Sequence, residues 1–375
     1  MLSGIAALIV AVSPAAAKPT LLFDLQTGQI LQHQEAFQRW HPASLTKLMT
    51  AYVTFRAIQA GELTLTSPIR VSKVSAKEPP SKMGYKPGAE MTLDNALKMM
   101  LVKSANDIAA AVAENVGGTV PDFVKRMNAE AARLGMTSTH FSNPNGLHVP
   151  DQYTTARDLA VLVTALRAEF SQYNGYYKIE GLQAGKTVMK GYNKLIGRFE
   201  GADGMKTGFV CASGFNLIGT ATRNGHTLGA IVLGGTLTKD RAEIAAEMLA
   251  RGFGSLPTSS PTTIYTLQPY GDGRDTPVDM RDIVCKKPDK NDKKPAASEA
   301  SEAEAKQVSP YLPEMTRERV LVAVGLGGAT GPVPAARAAL GDTDIEYADV
   351  PVPTWRPDYQ PESAKVSTEG ALVGG

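Results

Sequence analysis

The hydrophobic positions in the first half of the chain recur with helical spacing. Leu48, Tyr52, Phe55 and Ile58 lie three or four positions apart, which places their side chains on one face of a helix. Further helices are predicted over Leu93–Val102, Asp107–Val116 and Pro121–Leu134, and another from Thr154 onward. The stretch Val71–Pro87 is rich in Lys, Ser, Pro and Gly and is predicted to be a loop. Consecutive helices of this kind favour one helical lobe.

Strand patterns flank these helices on both sides. The predicted strands include Thr20–Leu25, Gln29–Gln34, Phe215–Arg223 and Thr227–Gly234. The last two are joined by Asn224-Gly225, the strongest short hairpin pattern, because both residue types tolerate a positive φ. A helix over Lys239–Phe253 is placed to cover the resulting sheet. The predicted fold class is therefore α+β: an antiparallel sheet covered by helices, with an inserted all-helical lobe.

The composition allows one large domain or two ordinary ones. The chain has 375 residues, 43% of them hydrophobic, and its net charge of +2 indicates neither nucleic acid nor an anionic surface as a partner. After residue 255 a lysine-rich run gives way to Ala, Ser and Glu, and the end is rich in Pro and small residues. We expect residues 18–255 to form the main folded domain and residues 256–375 to be a linker and a largely disordered low-complexity tail.

The N-terminal residues predict export. Gly4–Val12 is a short apolar run, and Ala15-Ala16-Ala17 follows it as a cleavage site, so residues 1–17 are interpreted as a signal peptide of a periplasmic or secreted protein. No Lys or Arg precedes the run, which leaves open whether this signal peptide is complete. Ser367–Gly375 has no apolar face, and we expect no stable membrane anchor.

The cysteines and histidines give no indication of a metal centre. The chain has two cysteines, and a secreted domain of this size does not need disulfides. We expect Cys211 to be a small packed residue and disfavour a bond to Cys285. The five histidines, which show no metal-ligand spacing, are His33, His41, His140, His148 and His226. No metal and no nucleotide or redox cofactor is predicted.

Candidate chemistry begins with Ser44 and Lys47, three residues apart at the start of the first helix. Positions i and i+3 share a helix face, so the amine can lie over the hydroxyl. A lysine with a lowered pKa can then take the serine proton, and a helix N-terminus suits a developing oxyanion. Alone, such a pair is more often a capped helix with an exposed lysine.

Two later stretches change that balance. Ser104 and Asn106 lie between two predicted helices, where the hydroxyl would relay a proton and the amide would bond Lys47 and a substrate amide; the alternative role for Asn106 is a helix N-cap. Lys206-Thr207-Gly208 lies in a predicted strand, where an edge can pair with an extended peptide. Its lysine and threonine suit a substrate carboxylate, and the glycine suits a close substrate backbone. The alternative is an ordinary strand with an exposed lysine.

S-x-x-K, S-x-N and K-T-G, in this order on helix, loop and strand, resemble the motifs of penicillin-binding proteins and class A β-lactamases. Further stretches are similar to the low-molecular-mass D-alanyl-D-alanine carboxypeptidases: Met127–Met136, Thr139–Leu147, Thr155–Ala160 and Asp203–Gly208. The resemblance covers roughly residues 18 to 255. It implies a DD-peptidase/β-lactamase-like fold.

The resemblance also implies a reaction. The expected enzyme is a serine carboxypeptidase that removes the terminal D-alanine from peptidoglycan pentapeptide stems through an acyl-enzyme, with β-lactams as covalent inhibitors. The implied roles are Ser44 as nucleophile, Lys47 as base, Ser104 and Asn106 in proton transfer and amide binding, Lys206, Thr207 and Gly208 in substrate binding, and the N–H groups of Ser44 and Phe209 as the oxyanion hole.

Three alternatives stay open. A DD-endopeptidase that cuts cross-links would use the same residues on a different leaving amine. A β-lactamase needs a glutamate that activates water, and Glu169 lacks the expected surroundings. A non-catalytic peptidoglycan-binding protein would not need the intact motifs. Gln152 departs from the family, since relatives often have a histidine there, and neither the second β-rich domain nor the membrane helix of many relatives is predicted.

Overall fold

In a computed structural model, the chain is described over residues 18–254, 262–285 and 309–338. In chain order the strands are β1 Thr20–Asp24, β2 Ile30–Gln34, β3 Pro68–Arg70, β4 Glu90–Thr92, β5 Gly181–Ala184, β6 Thr187–Lys190, β7 Ala202–Val210, β8 Gly214–Arg223, β9 His226–Gly235 and β10 Leu321–Ala323. The helices are α1 Lys47–Gln59, α2 Lys73–Lys77, α3 Leu93–Val102, α4 Asn106–Gly117, α5 Val120–Leu134, α6 Ala156–Glu169, α7 Thr238–Gly254, α8 Arg281–Val284 and α9 Ala335–Ala338. The signal-peptide prediction lies outside the described residues.

The main sheet is antiparallel and has the order β2-β1-β9-β8-β7. Asn224 and Gly225 both adopt a positive φ at the β8–β9 turn, as the Asn-Gly pattern predicted. Leu217 and Val232 are paired across β8 and β9 and pack towards α7. The next pair, Ile218 and Ile231, belongs to the core shared with the helical lobe. Both faces of the sheet are therefore buried, and α7 covers one of them.

Helix α4 is the centre of the helical lobe. Every residue from Asn106 to Val116 is buried, and four of the eleven are alanines, which let α1, α2, α3 and α5 pack closely around the helix. Gly117 has no room for a larger residue, since a methyl group there would overlap Phe123. The position of α4 fixes where its N-terminus emerges, and that N-terminus carries Asn106. The predicted α+β fold with an inserted helical lobe is confirmed.

The predicted loop Val71–Pro87 contains one short helix that the sequence analysis missed, α2. Ser72 accepts hydrogen bonds from the backbone N–H groups of Val74 and Ser75, and the Ser75 hydroxyl in turn accepts one from the Ser72 backbone N–H. This is a capping box with serine in the place usually held by Glu or Gln, so the usual sequence pattern does not reveal it. The rest of the stretch, residues 78–87, is irregular.

The expectation about the cysteines is wrong, because Cys211 and Cys285 form a disulfide. Cys211 directly follows β7, and the segment 279–285 returns to that point, where the Met280 N–H donates to the Ala212 carbonyl at 3.0 Å. The bond closes a sequence separation of 74 residues. Its formation depends on where the chain returns after α7, which local sequence patterns do not show.

The expectation of a largely disordered tail is wrong for residues 262–285 and 309–338, which pack on the domain. Ile264 is fully buried, and its carbonyl accepts a hydrogen bond from Arg157 at 2.7 Å. Farther along, β10 pairs in parallel with β5, and the Gly327 N–H donates to the Glu90 carbonyl at 2.7 Å. We call residues 309–338 the strap. The strap joins the β5–β6 hairpin to the helical lobe. Because its contacts are short, its sequence shows no periodic hydrophobic pattern that would predict them.

The strap is anchored by a charged contact. Arg317 makes two hydrogen bonds to the Glu180 carboxylate, at 2.9 and 2.5 Å, and the Val320 N–H adds a third at 2.9 Å. These bonds and the Arg317 charge lower the pKa of Glu180, whose burial acts in the opposite direction.

No helix within the described ranges is both long and apolar enough to cross a bilayer.

Replacing Arg317 tests the strap. Arg317→Ala removes two hydrogen bonds and a positive charge from the Glu180 carboxylate, and because the arginine is half exposed we expect a small, measurable loss in the free energy of unfolding. Thermal unfolding measures this. The control is Lys125→Ala, which removes a fully exposed pair with Asp122 and should be nearly neutral. Equal melting temperatures for the two variants would contradict the anchoring role.

Candidate active site

Ser44 lies in a 3-10 turn, Ala43–Thr46, that leads directly into α1. Two glycines enclose this turn. A methyl group on Gly146 would overlap the Ala43 carbonyl, and one on Gly208 would lie 3.0 Å from the Ser44 nitrogen. Gly208 thus lies in close contact with the serine turn, whereas the sequence predicted a close approach of the substrate backbone to this glycine. The two glycines fix the position of the Ser44 backbone.

The Lys47 amine lies against the Ser44 hydroxyl, as the i, i+3 spacing predicted. Lys47 is fully buried, and its Nζ bonds to Ser44 Oγ at 3.0 Å, to Asn106 Oδ1 at 2.8 Å and to the Asn145 carbonyl oxygen. The two amide oxygens can only accept, whereas the hydroxyl can also donate. A neutral amine, with two N–H groups and one lone pair, matches these three partners.

The surroundings favour that neutral form. Burial lowers the pKa of Lys47 to about 7, because desolvation disfavours the ammonium; the negative charges of Glu78 and, more weakly, Asp107 act against this shift. An amine with such a pKa is a free base in much of the population at neutral pH, which suits general-base chemistry. The alternative of a capped helix with an exposed lysine is wrong.

Asn106 is held so that its carbonyl oxygen faces Lys47. Its Nδ2 donates to the Pro79 carbonyl at 2.9 Å, and its backbone N–H donates to the Ser81 carbonyl at 2.7 Å. It is the first residue of α4, and the N-cap position belongs to Ala105, which makes no side-chain capping bond. The N-cap interpretation of Asn106 is therefore wrong, and its side chain belongs to the site.

A second serine–lysine pair completes the site. Lys206 is 2% exposed, and its Nζ bonds to Ser104 Oγ at 3.0 Å and to the Thr207 carbonyl at 2.8 Å. Burial holds the pKa of Lys206 well below its usual value, and the positive charges of Lys47 and Arg241 add to this effect. The interpretation of Lys206 as an exposed strand lysine is wrong. The Ser104 hydroxyl therefore accepts its hydrogen bond from Lys206.

Strand β7 carries Lys206, Thr207, Gly208 and Phe209 at the edge of the main sheet. An edge strand has backbone groups that an extended peptide can pair with. Phe209 is exposed and stacks on Phe215, with ring centroids 4.2 Å apart. Thr207 is buried beside Lys206. The structure thus brings the predicted residues of all three motifs to one place.

Asn145 is a further partner of Lys47, which none of the three sequence motifs indicated. Asn145 lies in the turn after Phe141, and Gln152 holds this turn from within: its Oε1 accepts from the N–H groups of Ser142 and Asn143 at 2.9 and 3.0 Å. Its Nε2 donates to Asn143 Oδ1 at 3.2 Å and to the Leu147 carbonyl at 3.3 Å. The glutamine at this position therefore supports the turn that carries Asn145.

Glu169 lies elsewhere. Its carboxylate accepts a hydrogen bond from the Tyr52 hydroxyl at 2.7 Å and lies 3.5 Å from Arg133. Tyr52 follows Ser44 by eight positions, which is about 12 Å along a helix. Glu169 is thus bound at the far side of α1 and does not supply the glutamate that a class A β-lactamase mechanism needs.

Comparison with known proteins gives a consistent result. The sequence model of a family described as D-alanyl-D-alanine carboxypeptidase matches residues 7–236. The chain is 32% identical over 252 residues to D-alanyl-D-alanine carboxypeptidase DacC of Escherichia coli, covering 65% of this chain and 63% of that protein. The chain spans less than two thirds of the length of the first curated relatives it matches.

Solved structures agree with the sequence comparison. The crystal structure of the D-alanyl-D-alanine carboxypeptidase DacD from Francisella tularensis has a TM-score of 0.62 at 30% identity, covering 66% of this chain and 74% of that one. A penicillin-binding protein of Listeria monocytogenes in its ampicillin-bound form has a TM-score of 0.57 at 28% identity, covering 63% of this chain and 96% of that one.

Replacing Gln152 tests its support of the site. In Gln152→Ala the N–H groups of Ser142 and Asn143 lose their acceptor inside the protein, and we expect a loss of about 1–3 kcal/mol in the free energy of unfolding. Urea denaturation measures this. Gln59→Ala, which removes an exposed glutamine at the end of α1, is the control and should change stability by less than about 0.5 kcal/mol. Equal stability of both variants would contradict the supporting role.

Proposed function

The chain belongs to the D-alanyl-D-alanine carboxypeptidase family, and from that premise we propose that it is a serine DD-carboxypeptidase acting on peptidoglycan pentapeptide stems. The observation that carries this proposal is the fully buried Lys47 amine, 3.0 Å from the Ser44 hydroxyl and with a pKa of about 7. A hydroxyl becomes a nucleophile when a neighbouring base takes its proton, and this amine is placed and tuned for that step.

In the first half of the reaction Ser44 Oγ attacks the carbonyl carbon of the penultimate D-alanine while its proton passes to Lys47 Nζ. The negative charge on the carbonyl oxygen would be stabilised by the backbone N–H groups of Ser44 and Phe209. Collapse of this intermediate breaks the C–N bond. The Lys47 ammonium gives up its proton and the leaving amine of the terminal D-alanine takes one up, with the Ser104 hydroxyl, on the Lys206 side of the site, as the proposed relay between them.

In the second half water attacks the ester on Ser44. Lys47, again a free amine, takes a proton from this water and returns it to the Ser44 oxygen as the ester C–O bond breaks. The shortened stem is released, and the serine hydroxyl and the free amine are restored. Asn106 would bond the substrate amide as well as Lys47. Its fixed carboxamide and the edge of β7 would hold the peptide in an extended form.

Lys206 and Thr207 are the proposed site for the terminal carboxylate. Lys206 already makes two hydrogen bonds within the protein, to the Ser104 hydroxyl and to the Thr207 carbonyl. The lysine would therefore act on the substrate carboxylate mainly through its positive charge. Bound carboxylate would favour the ammonium form of Lys206. The Thr207 hydroxyl would supply the directional hydrogen bond.

β-Lactams are proposed to acylate Ser44 as mimics of the D-alanyl-D-alanine end. The ampicillin-bound form of the Listeria monocytogenes relative supports this. We also propose a periplasmic location, supported by the apolar run Gly4–Val12 and the alanines before Lys18. We propose residues 18–255 as the catalytic domain. The strap and the segment 262–285 pack on this domain as extensions.

Product analysis tests the proposal. The purified protein should release free D-alanine from a pentapeptide ending in D-alanyl-D-alanine, and Ser44→Ala should lose this activity by at least about a thousandfold, because the nucleophile is absent. Cross-linked stem-peptide dimers are the parallel substrate. Cleavage of dimers with little release of D-alanine would contradict the carboxypeptidase and indicate an endopeptidase. Slow release of D-alanine that is equal in both proteins would exclude Ser44 as nucleophile.

A further inference from the structure

Ser104 and Asn106 lie in a loop that needs support from outside. Ser104 has a φ of +62°, a left-handed conformation that is unfavourable for a residue with a side chain and persists where the surrounding structure enforces it. Asn106 begins α4, and its Oδ1 accepts from the Lys47 amine at 2.8 Å. This contact requires one fixed orientation of the carboxamide. Both residues therefore depend on contacts from another segment.

The segment 79–84 supplies these contacts. Its carbonyl groups at Pro79 and Ser81 accept hydrogen bonds from the Asn106 side-chain amide at 2.9 Å and from the Asn106 backbone N–H at 2.7 Å. The Ser81 hydroxyl donates to the Lys103 carbonyl at 3.0 Å, where the loop begins. One segment without regular secondary structure thus holds both ends of the loop.

Asp107 in turn holds this segment. It directly follows Asn106 and is fully buried. Its two carboxylate oxygens accept from the backbone N–H of Met83 at 3.0 and 3.1 Å, and one of them accepts from that of Gly84 at 2.8 Å. The N–H of Ile108 donates to the carboxylate at 2.9 Å. A carboxylate only accepts and matches three N–H donors, whereas a carboxamide would turn its own N–H groups towards them.

Two adjacent residues therefore bind the same segment at two points. Asp107 holds the end of the segment 79–84, and Asn106 is held by its beginning. A carboxamide rotates readily about its terminal single bond. Its oxygen faces Lys47 because its nitrogen is bonded to the Pro79 carbonyl, so the position of the segment decides the orientation of the amide.

We propose that Asp107 is a positioning residue of this site: it fixes the segment 79–84, whose carbonyl groups orient the Asn106 carboxamide towards the Lys47 amine. The effect of this support on acylation rests on the proposed function. Asp107 contacts no reacting atom. Its replacement should leave the amine of Lys47 in the site but no longer aligned with Ser44, and should therefore slow acylation.

The charge of Asp107 is a second route to Lys47 that the test must separate. Burial has the largest effect on the pKa of Lys47, and the negative charges of Glu78 and Asp107 oppose it. A charge acts through space, so this effect would persist when the Asn106 side chain is removed. An effect through the orientation of Asn106 would not persist.

The test is a double-mutant cycle on the rate of acylation by a labelled penicillin. It compares the wild type, Asp107→Asn, Asn106→Ala and the double variant. We expect Asp107→Asn to lower the rate about ten- to a hundredfold, because the Asn106 carboxamide loses its fixed orientation. In the Asn106→Ala background the same change should lower the rate by less than about twofold, since the residue through which Asp107 acts is absent.

Asp24→Asn is the matched control. Asp24 is also buried, and it accepts from the backbone N–H groups of Gln26 and Thr27 at 2.8 and 2.9 Å. It ends β1, which two strands of the main sheet separate from β7. Its replacement should lower the melting temperature as Asp107→Asn does, but the folded protein should be acylated at the wild-type rate.

Gly84→Ala is a second variant that leaves Asp107 unchanged. Gly84 has a φ of +78°, and within the described residues a methyl group there would meet no other part of the chain within 4 Å. The change therefore strains the segment without a clash, and we expect about two- to fivefold slower acylation. Gly135→Ala, at a φ of +74° with equally open space among the described residues, is its control and should react like the wild type.

Three results would overturn the proposal. The first is a wild-type rate in folded Asp107→Asn, or in Gly84→Ala if Asp107→Asn does not fold. The second is an equal loss of rate with and without the Asn106 side chain, which indicates an effect of charge or of general destabilisation. The third is an equal loss in Asp24→Asn. Circular dichroism of each variant establishes that it is folded.

The proposed function can fail separately. A wild-type protein that no penicillin labels contradicts the function, and hydrogen exchange of the Asn106 side-chain amide, followed by NMR, then decides the role of Asp107. The same measurement decides it if Asn106→Ala reacts too slowly for the cycle. We expect exchange at least about tenfold faster in Asp107→Asn than in the wild type, and unchanged in Asp24→Asn. Equal exchange in Asp107→Asn and the wild type excludes the positioning role.

Discussion

The burial of one lysine amine sets the requirements for the rest of the site. Lys47 is withdrawn from water, and three oxygens from different parts of the chain surround it; within the described part of the chain no carboxylate makes a hydrogen bond to its amine. A buried ammonium is costly in such a place, so the amine loses its proton near neutral pH. The serine turn, the N-terminus of α4 and the turn around Asn145 must all be held in place for this to work.

Each of these three parts has its own support. Gly146 and Gly208 leave room for the serine turn, and Gln152 holds the Asn145 turn from inside. Asp107 ties the segment after Glu78 to α4 through the N–H groups of Met83 and Gly84. The site is therefore preorganised by interactions that never touch a substrate, which is the usual condition for precise placement of catalytic groups.

The sequence predicted what depends on local patterns. The Asn224-Gly225 hairpin, the main helices and the approach of Lys47 to Ser44 follow from turn chemistry and helix spacing, and all three are present. The three motifs indicated which residues would meet, although their spacing could not show that Lys206 would be buried. The burial of Lys206 depends on the place of β7 in the fold.

Helix α2 was missed because its capping box has serine in the place usually held by Glu or Gln, whereas the other missed features depend on contacts between distant segments. The Cys211–Cys285 bond and the strap join parts of the chain that no periodic pattern relates. The most direct test of the central claim is an NMR titration of protein with labelled lysine side chains, with the Lys47 signal assigned by Lys47→Arg. The account predicts a midpoint of about 7 for this signal. A midpoint near the ordinary lysine value of about 10.4 would contradict it.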